Sequence, residues 1–278
     1  PSKALIIISS DPSPPVSILT KFNVPFSTEA LIQLDEVWLR RRLKLFSDWC
    51  VPSVLSQSDP HFRWLIGIDA RSPHWLIETL AQLVGHRLHL VYAKPDELHT
   101  IAFRRELKGT EEELTTCRVD SDDAIHSSYI STLRAYLQEP GLLSFFSGSR
   151  LDLRTGRLVQ MPDARSPFIA LRSASGHSVF DFPSHSAVPK SIDHLCLQTT
   201  EPMWLQIVDG NNVSNRVKWF YPGLKPDKMR RGFSFLNGNT VKLTCRFPAI
   251  HFVPSWLFYI IRWLSARRST RMVRVFAT

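Results

Sequence analysis

The sequence TTCRVDSDDAIH, residues 115–126, carries the strongest local signals in the chain. Its first half is rich in the β-branched residues that favour strands. Three aspartates end this run, and the apolar residues after them are spaced like one face of a helix that extends to Gln138. We therefore predict a strand, an acidic strand end and a helix that begins near Ala124, a unit typical of α/β folds.

The three aspartates predict a metal site. Asp120 and Asp122 flank one small residue, so a bend at Ser121 can direct their oxygens to a shared point. Hard oxygen ligands suit Mg²⁺ or Mn²⁺, which also bind substrate diphosphates. Such a cation neutralises the charge that develops on a departing sugar diphosphate. The alternative is that Asp122 or Asp123 caps the helix, but capping accounts for one carboxylate and not for three.

The segments before this stretch predict alternating strands and helices. Strands are expected at residues 16–22, 62–69 and 87–93, and helices at 34–55 and 73–84. The first helix is amphipathic and carries Arg40, Arg41, Arg42 and Lys44, with Pro52 bending or ending it. This order predicts a doubly wound sheet, so Asp69 and Asp120, each at the carboxyl end of a strand, are expected on the same rim.

The segments after this stretch predict a β-rich half. Residues 94–113 form a polar connection with a helical middle. Strands are expected at 142–146, 150–153, 158–161, 168–172 and 178–182, with a hairpin turn at 154–157. The predicted fold class is therefore α/β, with a mixed sheet flanked by helices.

Composition indicates an ordinary globular chain. It has 278 residues, of which 44% are hydrophobic and 21% charged. We expect one domain, residues 1–250, and a tail, residues 251–278. The four cysteines follow no disulfide or zinc pattern, and residues 4–8 are too short for a secretory signal, so a cytoplasmic protein is expected.

The C-terminal quarter carries the positive charge. Residues 216–278 contain thirteen Lys or Arg and one acid, which leaves 21 of the 34 basic and 24 of the 25 acidic residues for the chain before them. Residues 252–264 are apolar and aromatic, too short to span a bilayer, and Arg267, Arg268, Arg271 and Arg274 follow. This pattern predicts a basic amphipathic helix that binds the inner, anionic face of a membrane; the alternative is a helix packed on the core.

Several motifs together carry a family resemblance. The runs ILTKF at 18–22, WLR at 38–40, WLIGID at 64–69, RVDSDDA at 118–124 and WLQIVDGNNVSNR at 204–216 resemble the putative rhamnosyltransferase family of GT-A-type glycosyltransferases. The resemblance covers most of the chain. It implies a GT-A-like domain, a Mn²⁺ or Mg²⁺ cofactor and a nucleotide-sugar donor, with rhamnose as the suggested sugar and a glycan or lipid-linked acceptor.

The resemblance also suggests residue roles. Asp120, Asp122 and Asp209 are the expected metal ligands; Asp209 stands where the family more usually has a His, so it is a candidate for either a ligand or the catalytic base. The expected donor-binding residues are Lys21, Asp69, Arg118, Asp120, Asp123, Asn211, Asn212 and Arg216. Lys21 and Asp69 are included because they lie at the tips of early strands, and Arg216 because its planar fork suits a diphosphate.

An inverting transfer needs a carboxylate that takes the acceptor proton. Asp181, Asp193, Glu201 and Asp209 are the candidates, and the sequence does not choose among them. Two other classes stay open: a nucleotidyltransferase, which also uses clustered carboxylates, and a non-catalytic basic protein that binds nucleic acid or another anionic surface. Nucleic acid is the less expected partner. The chain has neither a P-loop nor a G-x-S-x-G motif.

Overall fold

The computed structural model describes residues 16–25, 32–95, 97–108, 113–182, 187–189, 191–211, 216–218, 221–237, 243, 255–267 and 270–275. Within them the strands are β1 Val16–Lys21, β2 Phe62–Asp69, β3 Leu88–Ala93, β4 Leu114–Arg118, β5 Ala124–Ile125, β6 Gly141–Phe145, β7 Ser149–Asp152, β8 Arg157–Gln160, β9 Ile169–Ser173, β10 His194–Gln198, β11 Trp204–Val208 and β12 Arg271–Arg274. The helices are α1 Glu36–Leu45, α2 Val51–Leu55, α3 His74–Val84, α4 His99–Leu107, α5 Tyr129–Tyr136, α6 Pro226–Arg230 and α7 Ser255–Arg267.

The main sheet has the strand order β12-β10-β6-β9-β4-β1-β2-β3. All adjacent pairs are parallel except those of β9, which runs antiparallel to both β4 and β6. The other strands of this sheet therefore point the same way, and their carboxyl ends share one rim. Ligands of open α/β sheets bind outside that rim. The predicted mixed sheet is confirmed, and Asp69 and Asp120 do lie at the same rim, where the parallel strands end.

Both faces of the main sheet are covered by helices, which is why its strands are apolar on both sides. Successive residues of β1 point to opposite faces. Ile18 packs in a cluster that includes Leu39 of α1 and Leu76 of α3. Leu19 packs in a second cluster that includes Phe103 of α4. The alternation of β1 thus separates two hydrophobic cores.

The predicted helix over residues 34–55 is present but changes its winding. A π-type turn, Phe46–Cys50, joins α1 to α2. Pro52 follows in the first turn of α2; because proline lacks an N–H, it removes one helix hydrogen bond there. The wider turn keeps Phe46 and Trp49 buried in the core. The chain thus passes Pro52 without losing the apolar face.

Two local predictions were wrong. The helix predicted to begin near Ala124 begins at Tyr129, because Ala124 and Ile125 form β5, which pairs antiparallel with β11. Neither Asp122 nor Asp123 is therefore a helix cap. Residues 178–182 are not a strand: Val179–Asp181 is a 3₁₀ turn, held by a capping box between Ser178 and Asp181.

A second sheet has the order β5-β11-β7-β8. It stands next to the rim of the main sheet, because β6 leads into β7 through three residues and the Trp204 ring nitrogen of β11 donates to the Phe145 carbonyl of β6 at 2.9 Å. Gly148 lies at this junction, where a Cβ atom would come within 1.9 Å of the Trp204 ring. The close approach of the two sheets depends on this glycine.

The C-terminal segment is part of the fold and not a free tail. The predicted helix is present as α7, and β12 extends the main sheet by pairing in parallel with β10. Ala266 and Val275 are buried. The predicted boundary at residues 250 and 251 lies outside the described residues. Among the described helices, none is both long and apolar enough to cross a membrane.

Candidate active site

The first acidic residue at the end of β4 is paired with an arginine of the same strand. Arg118 donates from Nε and Nη2 to the two oxygens of Asp120 at 3.0 and 2.9 Å. Burial alone would raise the pKa of Asp120, but the charge and hydrogen bonds of Arg118 outweigh it and lower the pKa to about 2. Asp120 is therefore a largely buried carboxylate that stays charged at neutral pH.

The second acidic residue, Asp122, has a cation from helix α1 as its partner. Nη1 of Arg42 lies 3.0 Å from Oδ2 of Asp122, and both side chains are mostly buried. The pKa of Asp122 is nevertheless raised, because burial and repulsion from Asp120 and Asp209 outweigh the attraction of Arg42. The three carboxylates therefore interact within one cluster and repel one another.

The third acidic residue, Asp123, joins the cluster to the second sheet. It is 2% exposed, and its Oδ1 accepts the backbone N–H of Ile207 in β11 at 2.9 Å. Burial, together with repulsion from Asp122 and Asp120, raises its pKa well above the ordinary value of 3.8. Asp123 thus positions the acidic turn against β11.

Asp209 follows directly after β11 and is held by Arg41 of α1. Nη2 of Arg41 lies 2.5 Å from its Oδ2. Its Oδ1 accepts the backbone N–H of Asn211 at 3.0 Å, across Gly210, whose φ of +94° favours glycine. The Asn211 side-chain oxygen, in the orientation that satisfies both groups, also accepts from Arg41. Arg41 and Arg42 therefore neutralise Asp209 and Asp122.

Lys21, at the tip of β1, and His99, at the start of α4, flank the Asp120–Arg118 pair. Burial and the nearby Arg118 charge lower the pKa of Lys21 to about 8. Burial, with the Lys21 and Arg118 charges, lowers the pKa of His99 to about 4. Both side chains contact the Phe180 ring, at 5.4 Å between ring centroids for His99 and 5.4 Å from Nζ to the centroid for Lys21.

A cavity of about 270 Å³ lies beside Asp209. It is lined by Arg41, Lys44, Leu45, Asp48, Leu153, Arg154 and Asp209. Three of these residues are basic, and two carry carboxylates that pair with Arg41 and Lys44. The cavity is thus suited to a polar or anionic ligand adjacent to the acidic cluster.

The contacts of two of the other base candidates do not join them to the acidic cluster. Asp193 precedes β10, so it lies at the amino end of a strand that runs parallel to β4, at the opposite edge of the sheet from Asp120. Asp181 completes the capping box with Ser178 and pairs with Arg104 at 2.7 Å. Neither is brought to the acidic cluster.

The third base candidate, Glu201, lies in the loop before β11, whereas Asp209 follows its last residue. Five residues at about 3.3 Å each separate the two ends of this strand by roughly 16 Å. Glu201 pairs with His126 at 3.3 Å and Arg231 at 3.4 Å. The structure thus brings only Asp209, of the four candidates, next to Asp122.

Two predicted donor-binding residues, Asp69 and Arg216, make their contacts outside the acidic cluster. Asp69 is fully buried and pairs with Arg71, at 3.0 Å from Nε and 2.8 Å from Nη2, two strands away from Asp120. Arg216 is exposed, and its carbonyl accepts from Arg150 at 3.3 Å. Asn212 lies outside the described residues.

The sequence analysis missed Arg41, Arg42 and His99 as site residues. The sequence did hold a signal for the arginines. Arg40, Arg41 and Arg42 are consecutive, so they cannot all lie on one solvent-facing side of a helix. No local signal marks His99. Its position becomes meaningful only when α4 packs against the sheet beside β4 and Phe180.

The cluster has the donor chemistry of a hard divalent cation. Its carboxylates are largely buried and repel one another. A cation between Asp122 and Asp209 would therefore reduce the repulsion between these two carboxylates. Both oxygens of Asp120 are taken by Arg118. In the part of the chain that the structure describes, no three acidic, His or Cys side chains converge to hold a metal. Binding would therefore require Asp122 and Asp209 to exchange their arginine partners for the cation.

One family accounts for most of the chain. Residues 26–219 match the sequence model of the family described as putative rhamnosyl transferase. The chain belongs to this family. The putative rhamnosyl transferase family is a family of glycosyltransferases, so the resemblance indicated by the sequence motifs is confirmed. The matched range contains Arg41, Arg42, the acidic turn and Asp209, but neither Lys21 nor the segment from α6 to β12.

Several solved structures resemble the chain weakly. S. aureus TarS 1-349 has 14% identity and a TM-score of 0.42, over 69% of this chain and 60% of that one. Its complex with UDP-GlcNAc has 15% identity and a TM-score of 0.44, over 82% and 68%. A putative nucleotide-diphospho-sugar transferase from Desulfovibrio desulfuricans G20 has 13% identity and a TM-score of 0.36, over 81% and 94%. These values are too low for substrate or mechanism to follow. No curated protein matches the chain.

Proposed function

We propose that the protein transfers a sugar, with rhamnose as the first candidate, from a nucleotide-sugar donor to a glycan or lipid-linked acceptor. The observation that carries this proposal is a cluster of four carboxylates paired with three arginines. Asp120, Asp122 and Asp123 follow β4 and Asp209 follows β11, and the arginines are Arg118, Arg41 and Arg42. Membership of the putative rhamnosyl transferase family supports it. Rim position, buried charge and family point to the same class of reaction.

The cations of the cluster suit the donor diphosphate. Arg42 and Arg118 present planar guanidinium groups, which bind phosphate oxygens in a bidentate manner. Lys21 is partly buried near Arg118, and an incoming diphosphate would raise its pKa and so extend its charged form to higher pH. Asn211, next to Asp209, would bind the donor from the other side. Together these groups hold and orient the leaving nucleotide before transfer.

Asp122 and Asp209, with Asp120 behind them, would hold Mn²⁺ or Mg²⁺. When bound, the cation supplies charge neutralisation at the diphosphate. The chain contributes two largely buried carboxylates, Asp122 and Asp209, which Arg42 and Arg41 hold in place. Asp123 fixes the acidic turn through its bond to Ile207.

Asp209 is the strongest candidate for the base. It borders the cavity of about 270 Å³ beside the cluster, where an acceptor hydroxyl would be within reach of its carboxylate. The two roles of Asp209 are separable: Asp209→Asn abolishes transfer in either case, but weakens Mn²⁺ binding only if Asp209 is a ligand.

The experiment that tests the proposal is a thermal-shift screen of nucleoside diphosphate sugars, including rhamnose donors, with and without Mn²⁺. A donor that stabilises the protein only with Mn²⁺ supports both the substrate class and the cofactor. Stabilisation by the donor alone supports a cation-independent transferase. Product analysis then separates the reaction classes, because a glycosyltransferase releases a nucleoside diphosphate and a nucleotidyltransferase releases inorganic diphosphate. A screen with no stabilising donor contradicts the proposal.

We also propose that α7 binds the anionic inner face of a membrane from the cytoplasmic side. Ile260, Ile261 and Leu264 are exposed on one face of this helix, at 42%, 56% and 52%. Arg267 and Arg271 are exposed nearby. Apolar side chains beside basic ones suit an interfacial helix. In vesicle sedimentation, Ile261→Ser with Leu264→Ser should release the protein from anionic vesicles, whereas Leu98→Ser, at another exposed leucine, should not.

A further inference from the structure

A second cavity, of about 340 Å³, includes Pro202 and so lies at the opposite end of β11 from Asp209. It is bordered by Ser147, Gln198 and Arg274, which lie at or just beyond the carboxyl ends of β6, β10 and β12. The cavity therefore opens on the same rim as Asp120, where ligands of such sheets bind. Its volume is in the range of small-molecule sites, which begins at roughly 300 Å³.

The neutral part of the lining suits sugar hydroxyls. Gln160, Gln198, Thr199, Thr200 and Tyr259 contribute amides and hydroxyls, which can both donate and accept hydrogen bonds. The Gln198 amide donates to the Tyr259 hydroxyl at 3.2 Å, so α7 and β10 hold these two groups together.

In the described part of the chain, the charged residues that line the cavity are both basic. They are Lys228 and Arg274, and both are exposed. Among the described residues, neither cation forms an ion pair. Two cations beside a cavity that also offers amides and hydroxyls attract a ligand that carries a phosphate or carboxylate. The positive charge of the C-terminal quarter adds to this attraction.

We propose that this cavity binds an anionic part of the acceptor, a sugar bearing a phosphate or a carboxylate, remote from the hydroxyl that reacts. The word acceptor rests on the proposed transferase function, but the binding site itself does not. Pro202 of the cavity precedes β11 and Asp209 follows it, so the two sites are separated by roughly the 16 Å length of that strand. A ligand here therefore cannot also be the reacting group.

Some residues that line the cavity lie inside the range that matches the family, and others lie after it. Ser147, Gln160 and Gln198 lie inside the range that matches the family, residues 26–219. Lys228, Tyr259 and Arg274 lie after it, and they supply both cations. The matched region thus provides the proposed reaction site and one wall of the cavity, while α6 and β12 provide the two cations and α7 provides the Tyr259 hydroxyl.

The test is isothermal titration of the full chain with four probes: a sugar 1-phosphate, a uronic acid, inorganic phosphate and a neutral methyl glycoside. We expect saturable binding of one of the two anionic sugars and weaker binding of the other probes; the tighter one identifies the anionic group. Lys228→Gln and Arg274→Gln should each weaken that binding roughly tenfold or more, as expected for the loss of a charged hydrogen bond. Thr200→Glu, which places a negative charge in the cavity, should abolish it.

Arg271→Gln is the matched control, because Arg271 is exposed on the same strand but does not line the cavity. Absence of saturable binding by either anionic sugar, or equal weakening by Arg271→Gln, overturns the proposal. Donor hydrolysis, measured separately, distinguishes the two failures. If a nucleotide sugar is turned over but the cavity binds no anionic sugar, the cavity proposal is wrong and the transferase function stands. If the cavity binds an anionic sugar but no donor is turned over, the transferase function is wrong and the binding site stands.

Discussion

Oδ1 of Asp123 accepts the backbone N–H of Ile207 at 2.9 Å, across 84 residues of sequence. This bond ties the acidic turn after β4 to the strand that ends at Asp209. Because burial and the neighbouring Asp122 and Asp120 raise the pKa of Asp123, the bond is made by a carboxyl that is disfavoured as an anion. An acceptor oxygen, and not a negative charge, is what this position requires.

The variants Asp123→Asn and Asp123→Ala separate these two properties. Asparagine keeps the acceptor, so we expect stability equal to or above wild type, with a gain that grows as pH rises above 3.8 and the wild-type unfolded chain ionises. Alanine removes the buried oxygen that accepts from the Ile207 N–H, at a cost of about 1–3 kcal/mol. Thermal denaturation from pH 4 to pH 8 measures both effects. Equal losses for the two variants would contradict this account.

Asp122→Asn should reduce transfer roughly 100-fold or more, as when other electrostatic groups are removed from active sites. The melting temperature should change little, because the lost charge is repelled by Asp120 and Asp209 although it is attracted by Arg42. Asp59→Asn is the control, since Asp59 pairs with Arg134 at 2.8 Å and its pKa is lowered by its hydrogen bonds despite burial. It should lower the melting temperature and leave the specific activity intact; the same pattern in Asp122→Asn would remove Asp122 from the active site.

Arg42→Gln should weaken binding of the donor roughly tenfold, because one charged hydrogen bond to the diphosphate is lost. It also removes the cation whose attraction counteracts the increase in the pKa of Asp122. Arg40→Gln is matched to it on the same helix: Arg40 is exposed and pairs with Glu36 at 2.7 Å. Donor titration by fluorescence or calorimetry measures both. Similar affinities for the two variants would show that Arg42 does not contact the donor.

Lys21 predicts a pH dependence of both stability and binding. Its pKa is lowered from 10.5 to about 8, chiefly by burial, so the unfolded chain holds more protons between these values and stability rises with pH across that window. Lys21→Met should therefore raise stability at pH 7, by up to roughly 3 kcal/mol, and the gain should shrink above pH 8. Donor affinity of the wild type should fall as pH rises through 8. Lys108→Met, at an exposed position just after α4, should change neither profile.

Gly148→Ala should destabilise the protein by about 3 kcal/mol or more, because a Cβ atom there falls 1.9 Å from the Trp204 ring. That ring is stacked on Phe168 at 5.2 Å and cannot move without opening the core between the two sheets. Gly176→Ala is the comparison: its φ of +70° costs about 1 kcal/mol, but no atom lies within 4 Å. Chemical denaturation distinguishes the two, and equal losses would mean that the junction can repack.

Much of the fold was predictable because it depends on local signals. The runs at Val16–Lys21 and Phe62–Asp69 are apolar and bounded by turn residues, and strands form there. Asp120, Asp122 and Asp123 were found at a strand end because three acids after a β-prone run are unusual. The helix expected at Ala124 failed for the opposite reason: Ile125 has helical spacing to Tyr129, but its pairing with Trp204 of β11 outweighs that local preference.

By itself the sequence determined the family, the alternation of strands and helices, and an acidic turn at the end of β4, since each depends on residues that are close in the chain. Only the tertiary structure decided which side chains meet that turn. Arg42 lies 80 residues before Asp122, and Asp209 lies 87 after it, yet packing of α1 and β11 brings both to it. The strand directions of the sheet likewise placed Asp193 at the rim opposite to the acidic turn. Long-range contacts depend on register and packing, which residue types and spacing alone do not specify.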